Sequence, residues 1–226
     1  DRLKTDTSKT LANAGVFFAQ GGYNKIFNTK IFNTMRPRMK AYNRCAWCGT
    51  DPLYQAYHDN EWGKPSYDDR HLFAMLCLEG MQAGLSWITI LKKRERYYQV
   101  FADFDPAIIA QFDDAMVDSL MTDAGIIRHR GKIKAIINNA KCYLKITQTQ
   151  SFSDYLWNLS PSGLAKLPQD NHPKTFADIP SNTQYSEKMS KVLKKDGFKF
   201  VGSTICYAFM QAVGMVNDHV AACNFR

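Results

Sequence analysis

The chain has 226 residues, of which 45% are hydrophobic and 22% are charged. These values are ordinary for a globular protein and exclude collagen, coiled-coil rods and wholesale disorder. A chain of this length buries a core without the help of disulfide bonds. No segment approaches the roughly 18 consecutive apolar residues that a membrane helix needs, so we do not expect this chain to be an integral membrane protein.

The net charge of +8 is concentrated at the N-terminus. Residues 1–44 hold nine lysines and arginines but two acidic residues, which leaves the rest of the chain nearly neutral. Nucleic-acid binding would therefore rest on local basic patches. We interpret residues 1–43 as a basic, flexible extension without the features of a signal peptide, and residues 44–226 as one domain.

The predicted elements are almost all helical, so the predicted fold class is all-α. Capping patterns at Ser66–Asp69 and Asp105-Pro106, together with apolar residues at helical spacing, define the helices. The predicted helices cover residues 69–99, 105–122, 129–147, a short segment from Ser151, 184–196 and 203–216. Only Phe198–Val201 alternates like a strand, and residues 159–183 are predicted as a surface loop.

A predicted connection between two helices at Gly125 has the features of a phosphate-binding site. We expect Gly125 to take a positive φ and to end the first helix. The next helix would then direct its free N–H groups at a phosphate oxygen. Basic residues surround this turn, namely Arg128, Arg130, Lys132 and Lys134. The alternative is an ordinary connection whose basic residues are solvated.

Glu79 is the only charged residue in the apolar segment from Leu72 to Met81. A carboxylate on such a helix lies either at an edge that reaches water or in the interior with a partner. Aromatic residues lie nearby in the sequence, namely Trp47, Tyr54, Tyr57, Trp62 and Trp87. Together they favour a pocket for a flat, cationic or amino-bearing ring, and the alternative is that the aromatic residues pack in the core.

Two pairs of residues have the spacing of metal ligands: Cys45 with Cys48, and His219 with Cys223. Spacing alone favours a zinc site made of Cys45, Cys48, His219 and Cys223, because C-x₂-C is the commoner signature. The alternative set uses His58 in place of Cys48. A third interpretation is that these are unconnected residues of a reduced protein, since the remaining cysteines lie singly in apolar segments.

Several motifs, in the right order, closely resemble the DNA-3-methyladenine glycosylase I family. They are Tyr57–Gly63 (YHDNEWG), Glu79–Trp87 (EGMQAGLSW), Gly125–Ile133 (GIIRHRGKI), and the segment from Phe198–Gly202 (FKFVG) to Asn217–His219 (NDH). The similarity extends over about residues 44–223 and does not include the N-terminal extension. It implies a helix–hairpin–helix DNA glycosylase fold.

The resemblance also implies roles for individual residues. One structural Zn²⁺ would join the N- and C-terminal parts of the domain through Cys45, His58, His219 and Cys223, which leaves Cys48 without a role. Glu79 would be the catalytic residue that binds the purine edge, and the base would be held by Tyr57, Trp87, Trp47 and Trp62. DNA would be bound by Gly125, Ile127, Arg128, Arg130, Lys132 and Leu85, the last pressing into the duplex gap.

The implied activity is hydrolytic excision of 3-methyladenine from alkylated double-stranded DNA, which releases the free base and leaves an abasic site for base excision repair. Ser151 stands about where related enzymes place a catalytic Asp, which favours labile, charged lesions and argues against strand cleavage. We expect a monomer in the bacterial cytoplasm, associated with the nucleoid through DNA. Two alternatives are a zinc-stabilised module that binds damage without cleaving it and a hairpin glycosylase with another substrate.

Overall fold

The structure is a computed structural model that describes residues 42–226. The predicted extension at residues 1–43 lies outside the described residues apart from its last two, so it stays a prediction. Those two residues meet the C-terminus. Asn43 N donates a hydrogen bond to Asn224 Oδ1, and Asn224 N donates one to the carbonyl oxygen of Asn43. The ring of Tyr42 lies 5.4 Å from that of Phe225.

The all-α prediction is confirmed for residues 42–226, where ten α-helices accompany two very short strands. The helices are α1 (Pro52–Asn60), α2 (Asp69–Gln82), α3 (Trp87–Leu91), α4 (Arg94–Val100), α5 (Pro106–Ile109), α6 (Asp114–Thr122), α7 (Arg130–Ile146), α8 (Phe152–Trp157), α9 (Gln184–Lys195) and α10 (Ser203–Ala212). The strands, β1 (Gln169–Asp170) and β2 (Val216–Asn217), pair in parallel. None of these helices has both the length and the apolar character that crossing a bilayer requires.

Two of the predicted helices are divided in the structure. The segment predicted as one helix over 69–99 forms α2, α3 and α4, because Gly84 takes a φ of +77° and the helix restarts after Ser86. The segment 105–122 forms α5 and α6, since the Asp113 side chain accepts a hydrogen bond from Met116 N and begins a new helix. Phe198–Val201 is not a strand, and the strands lie elsewhere.

Helix α2 is the centre of the fold. All residues from Leu72 to Met81 are buried, and the helix packs against α3, α7, α8 and α10. A helix that is apolar on every side is stable only when other elements cover all of it. Glu79 is therefore carried into the interior by the helix that contains it.

Lys132 caps the C-terminus of α2 and does not face solvent, which corrects its predicted place among the DNA-binding side chains. It is 5% exposed, and its Nζ donates hydrogen bonds of 2.7 Å to the carbonyl oxygens of Met81 and Ala83. The last carbonyl groups of a helix have no partner within the helix. The ammonium group supplies that partner, so it is not available to a phosphate.

We expect Lys132→Met to lower the free energy of unfolding by about 1–3 kcal/mol, because one buried and one partly buried carbonyl group lose their donor. Urea denaturation followed by circular dichroism measures this loss. Lys134→Met is the matched control on the same helix, since Lys134 is exposed and forms an exposed ion pair with Asp114 that contributes at most about 1 kcal/mol. Equal losses in the two variants would contradict the capping role.

Candidate functional site

A cavity of about 440 Å³ is lined by residues of α1, α2, α3 and α10. Its wall includes all five residues predicted to bind a base, namely Glu79, Tyr57, Trp87, Trp47 and Trp62. The structure therefore brings together residues that are up to 40 positions apart in the sequence. The segment around Phe176 and Ile179 completes the wall.

Aromatic rings form much of the cavity wall. The ring centroids of Tyr57 and Trp87 lie 5.5 Å apart, and Trp47 meets Trp62 edge to face at 4.9 Å. Tyr57, Trp62 and Trp87 are each less than 10% exposed. Aromatic pairs with these separations pack stably, so the cavity has rigid, flat walls.

Glu79 is the acidic residue of the cavity wall, and its carboxyl group lacks a full set of partners. The residue is 3% exposed, and its Oε2 has no hydrogen-bond partner among the described residues. Burial disfavours the charged form and raises the pKa of Glu79 to about 8. In the described part of the chain, the other buried side-chain polar atoms without a partner are Trp47 Nε1 and Trp87 Nε1.

These three unpaired atoms belong to residues that line the same cavity. Buried polar groups in native proteins almost always have partners, so each exception requires an explanation. One acceptor and two donors on aromatic walls indicate a flat ligand that offers complementary hydrogen-bonding groups. The cavity is therefore a candidate binding site for such a ligand.

The sequence analysis did not identify two cavity residues on α10. Tyr207 Oη donates to Asp218 Oδ2 over 2.7 Å, and Gln211 Nε2 donates to the same oxygen over 2.7 Å. Asp218 thus fixes both side chains in the wall. Their spacing of four residues was a signal that they share a helix face, but only the tertiary structure decides that this face meets the cavity.

Four predicted metal ligands meet in a buried cluster. The ligand atoms of Cys45, His58, His219 and Cys223 all lie within 4.8 Å of one another. Cys223 Sγ is 3.5 Å from His58 Nε2 and 3.4 Å from His219 Nδ1, and Cys45 Sγ is 3.6 Å from His219 Nδ1. A tetrahedral metal with bonds of 2.0–2.3 Å needs ligand separations of about 3.3–3.8 Å, so this cluster could hold a metal ion.

Neighbouring groups orient both histidines toward the thiols. His58 Nδ1 lies 2.8 Å from Asp59 Oδ1, and His219 Nε2 lies 3.2 Å from the carbonyl oxygen of Trp62. Such outer contacts are typical of metal-binding histidines, because they direct the other ring nitrogen at the metal. Burial lowers the pKa of His58 and lowers that of His219 to about 4, so both rings are neutral at pH 7.

Cys48 lies outside this cluster. Its thiol donates to the carbonyl oxygen of Cys45 over 3.2 Å. The ligand set favoured by spacing alone is therefore wrong, and the group that the structure assembles is the one with His58. The C-x₂-C spacing gave the wrong ligand because the helical turn Ala46–Cys48 directs the Cys48 thiol at the backbone carbonyl of Cys45 and not at the cluster.

The connection between α6 and α7 differs in detail from its prediction. Helix α6 ends at Thr122, and Gly125 does not have a positive φ. A glycine is needed there for another reason, since a Cβ atom would lie 2.6 Å from Arg96 Cγ and 2.9 Å from Asp123 Oδ1. Close approach of these side chains, and not helix termination, explains Gly125.

The predicted DNA-binding residues lie in different environments. Arg128 is exposed and forms no ion pair within residues 42–226, whereas Arg130 pairs with Asp118 at 2.6 Å. The N–H of Ile127 is already bonded to Tyr97 Oη at 3.0 Å, so it is not free for a phosphate. Leu85 is 42% exposed in the turn between α2 and α3.

Comparison with known proteins gives consistent matches over the described domain. The profile of the family described as methyladenine glycosylase matches residues 47–226. DNA-3-methyladenine glycosylase 1 of Escherichia coli (strain K12) is 55% identical over 181 residues, which cover 80% of this chain and 95% of that protein.

Two solved structures are also similar to this chain. A crystal structure of 3-methyladenine DNA glycosylase I has a TM-score of 0.77 at 53% identity and covers 80% of this chain and 98% of that one. A variant of 3-methyladenine DNA glycosylase I in complex with 3-methyladenine has a TM-score of 0.77 at 41% identity and covers 81% of this chain and 97% of that one.

The raised pKa of Glu79 predicts a pH dependence of stability. Between an unfolded pKa near 4.3 and the folded value of about 8, the folded chain holds a proton that the unfolded chain has released. The free energy of unfolding should therefore fall as the pH rises from 5 to 8, and Glu79→Gln should remove about 2–4 kcal/mol of that fall.

Urea denaturation at several pH values between 5 and 8 measures this effect. Glu95→Gln is the matched control, because Glu95 is exposed on α4. A Glu79→Gln variant with the same pH profile as the native chain would contradict the desolvated carboxyl group.

Proposed function

The chain belongs to the methyladenine glycosylase family, and on that basis we propose that it excises 3-methyladenine from alkylated DNA at the cavity around Glu79. The observation that supports this site is the set of three unpaired buried polar atoms on its aromatic walls. A purine offers the matching groups, namely an exocyclic amino donor and ring-nitrogen acceptors. The cavity thus suits a flat base that has left the helix.

The charge of the lesion explains the aromatic walls and the acid. Methylation at N3 makes the adenine cationic while it is still attached to deoxyribose. The faces of Tyr57 and Trp87 attract a cationic ring. A positive charge beside Glu79 also favours its ionised form, so the pKa that burial raises falls again when the substrate binds. The carboxylate then accepts a hydrogen bond from the amino group, which is stronger than a bond between neutral partners.

The reaction needs little activation of the leaving group. Water attacks C1′ and forms a C–O bond, while the C1′–N9 bond breaks and its electron pair returns to the purine. The purine leaves as neutral 3-methyladenine, the water loses a proton, and an abasic site remains. The chain's residues bind and orient the cationic base and keep it out of the base stack. The weakness of the C1′–N9 bond in the cationic nucleotide accounts for the rest of the low activation barrier.

The connection between α6 and α7 is proposed to hold the DNA backbone. Arg128 offers an exposed charge, and the N–H groups of Arg130 and Gly131 at the start of α7 have no helical partners, whereas that of Lys132 is capped by His129. Arg130 can exchange its exposed pairing with Asp118 for a phosphate, because surface ion pairs are weak. Leu85 is proposed to fill the space that the base vacates, and Lys132 holds the end of α2 from which Leu85 projects.

The cysteine and histidine cluster is proposed to bind one structural Zn²⁺. Two thiolates and two imidazoles in a closed, buried group are a common ligand set for structural zinc. The ion would link the segment that starts the domain to the segment that ends it. That link also supports the cavity, because the carbonyl oxygen of Trp62 holds His219 while the Trp62 ring lines the cavity.

Release of free base from methylated duplex DNA tests the proposed function. We expect the native chain to release 3-methyladenine, and Glu79→Gln to lower the single-turnover rate by about 10- to 100-fold, the loss of one charged hydrogen bond. Affinity for duplex DNA with an abasic site should stay within about threefold, because no base contacts Glu79 there. Glu95→Gln should leave both quantities unchanged.

Two other outcomes would contradict the proposal. Tight binding of methylated DNA by the native chain with no base release would indicate a module that recognises damage without cleaving it. Faster release of a neutral oxidised base than of 3-methyladenine would indicate a glycosylase for another substrate.

Metal content tests the zinc proposal separately. Mass spectrometry of the purified chain should find one zinc ion per molecule, and Cys45→Ser should lose it and melt at a lower temperature. Cys48→Ser is the matched control and should keep the metal. Loss of zinc from Cys48→Ser with retention in His58→Ala would show that the ligand set is wrong.

A further inference from the structure

Phe200 lies at the tip of a short corner between α9 and α10. The corner is anchored by the buried residues Phe198 and Val201, whereas Lys199 and Phe200 are exposed. The backbone of Phe200 has a φ of +57°, in the left-handed region that a bulky side chain rarely adopts. An aromatic residue is therefore held in a strained conformation at the surface.

Several contacts fix this corner. The buried side chain of Asn139 accepts from Lys199 N at 2.8 Å and donates to Lys199 O at 3.1 Å. On the other side, Phe200 lies against α2 at Gly80, where a Cβ atom would come within 3.2 Å of both the Cβ and the carbonyl oxygen of Phe200. The backbone and the Cβ atom of Phe200 are therefore held by contacts with α7 and α2.

Burial in the core does not account for the strain at Phe200. Phe104 has a similar φ of +55°, but its ring is fully buried and gains core contacts in return. Phe200, by contrast, is 36% exposed. Strained backbone that the surroundings enforce is typical of functional sites.

The surroundings of Phe200 are those of the proposed DNA face. Its ring meets the His129 ring edge to face at 6.3 Å, and it lines a shallow depression with Gly131 at the start of α7. Gly80, on which it rests, is next to Glu79. The turn that carries Leu85 begins where α2 ends, and it is closed by a hydrogen bond from Leu85 N to the carbonyl oxygen of Gln82.

We propose that the ring of Phe200 is a second apolar DNA contact, which packs against the bases beside the everted purine while Leu85 fills the gap. This inference rests on the proposed function. Lys199 and Arg128 form no ion pairs within the described residues, so the neighbourhood carries positive charge suited to a DNA backbone. Contact between an aromatic ring and a base tolerates any sequence, as a repair enzyme requires.

Phe200→Ala tests the proposal, because it removes the ring but keeps the Cβ atom that packs on Gly80. We expect the single-turnover rate of 3-methyladenine release from duplex DNA to fall about tenfold. Affinity for free 3-methyladenine should stay within about twofold, since the ring is not part of the cavity wall. The salt dependence of duplex binding should not change, because the ring carries no charge.

A second measurement does not depend on catalysis. 2-Aminopurine placed beside a tetrahydrofuran abasic site in duplex DNA reports local unstacking by its fluorescence. The native chain should raise this fluorescence, and Phe200→Ala should raise it less. Phe200→Leu serves if the alanine variant fails to fold, and Leu164→Ala is the control, since Leu164 is 70% exposed in a turn beside α8.

The outcomes separate the two proposals. Equal losses in duplex excision and in affinity for the free base would show a structural role and overturn the inference, as would unchanged excision in Phe200→Ala. Absence of base release by the native chain would refute the proposed function, while the fluorescence comparison would still decide whether Phe200 contacts DNA.

Discussion

The burial of an incompletely paired carboxyl group on α2 is the constraint on which the rest of the site depends. An ionised carboxylate in an apolar interior is unfavourable without a partner, and the pKa of Glu79 rises to about 8 in response. The fold tolerates this group because α2 is enclosed by other helices on every side. We propose that a cationic purine is the partner of this group, so that the cost of burying the carboxyl group becomes selectivity for a charged base.

The C-terminal turn of α2 connects this acid to the proposed DNA face. Lys132 bonds to the carbonyl oxygens of Met81 and Ala83, and Phe200 rests on Gly80. Contacts from α7 and from the corner before α10 thus meet within five residues of Glu79. In the proposed function, a connection of this kind would fix the distance between the DNA backbone and the base pocket, so the position of the backbone would determine where the everted base arrives.

The buried cysteine and histidine cluster shows how much of the site could be found from sequence. Spacing identified Cys45, His219 and Cys223 but preferred Cys48 over His58, because spacing describes local chain and not the turn that hides a thiol. The family resemblance named the group that the structure assembles. Five aromatic residues of the cavity were also identified in advance, since they all lie within 32 positions of Glu79 in the sequence (79 − 47 = 32). Tyr207 and Gln211 were not, because α10 is more than 100 residues away.

By itself, the sequence determined the all-α class, the boundaries of α7 to within one residue, and the identity of the acid and the rings around it. Periodicity and capping depend on residues a few positions apart, so they can be recognised in a short stretch of sequence. Only the tertiary structure decided that Lys132 is a helix cap, that Gly125 makes room for Arg96, and that Phe200 is strained and exposed. Each of these depends on which distant segment covers a given face, and no spacing along the chain records that.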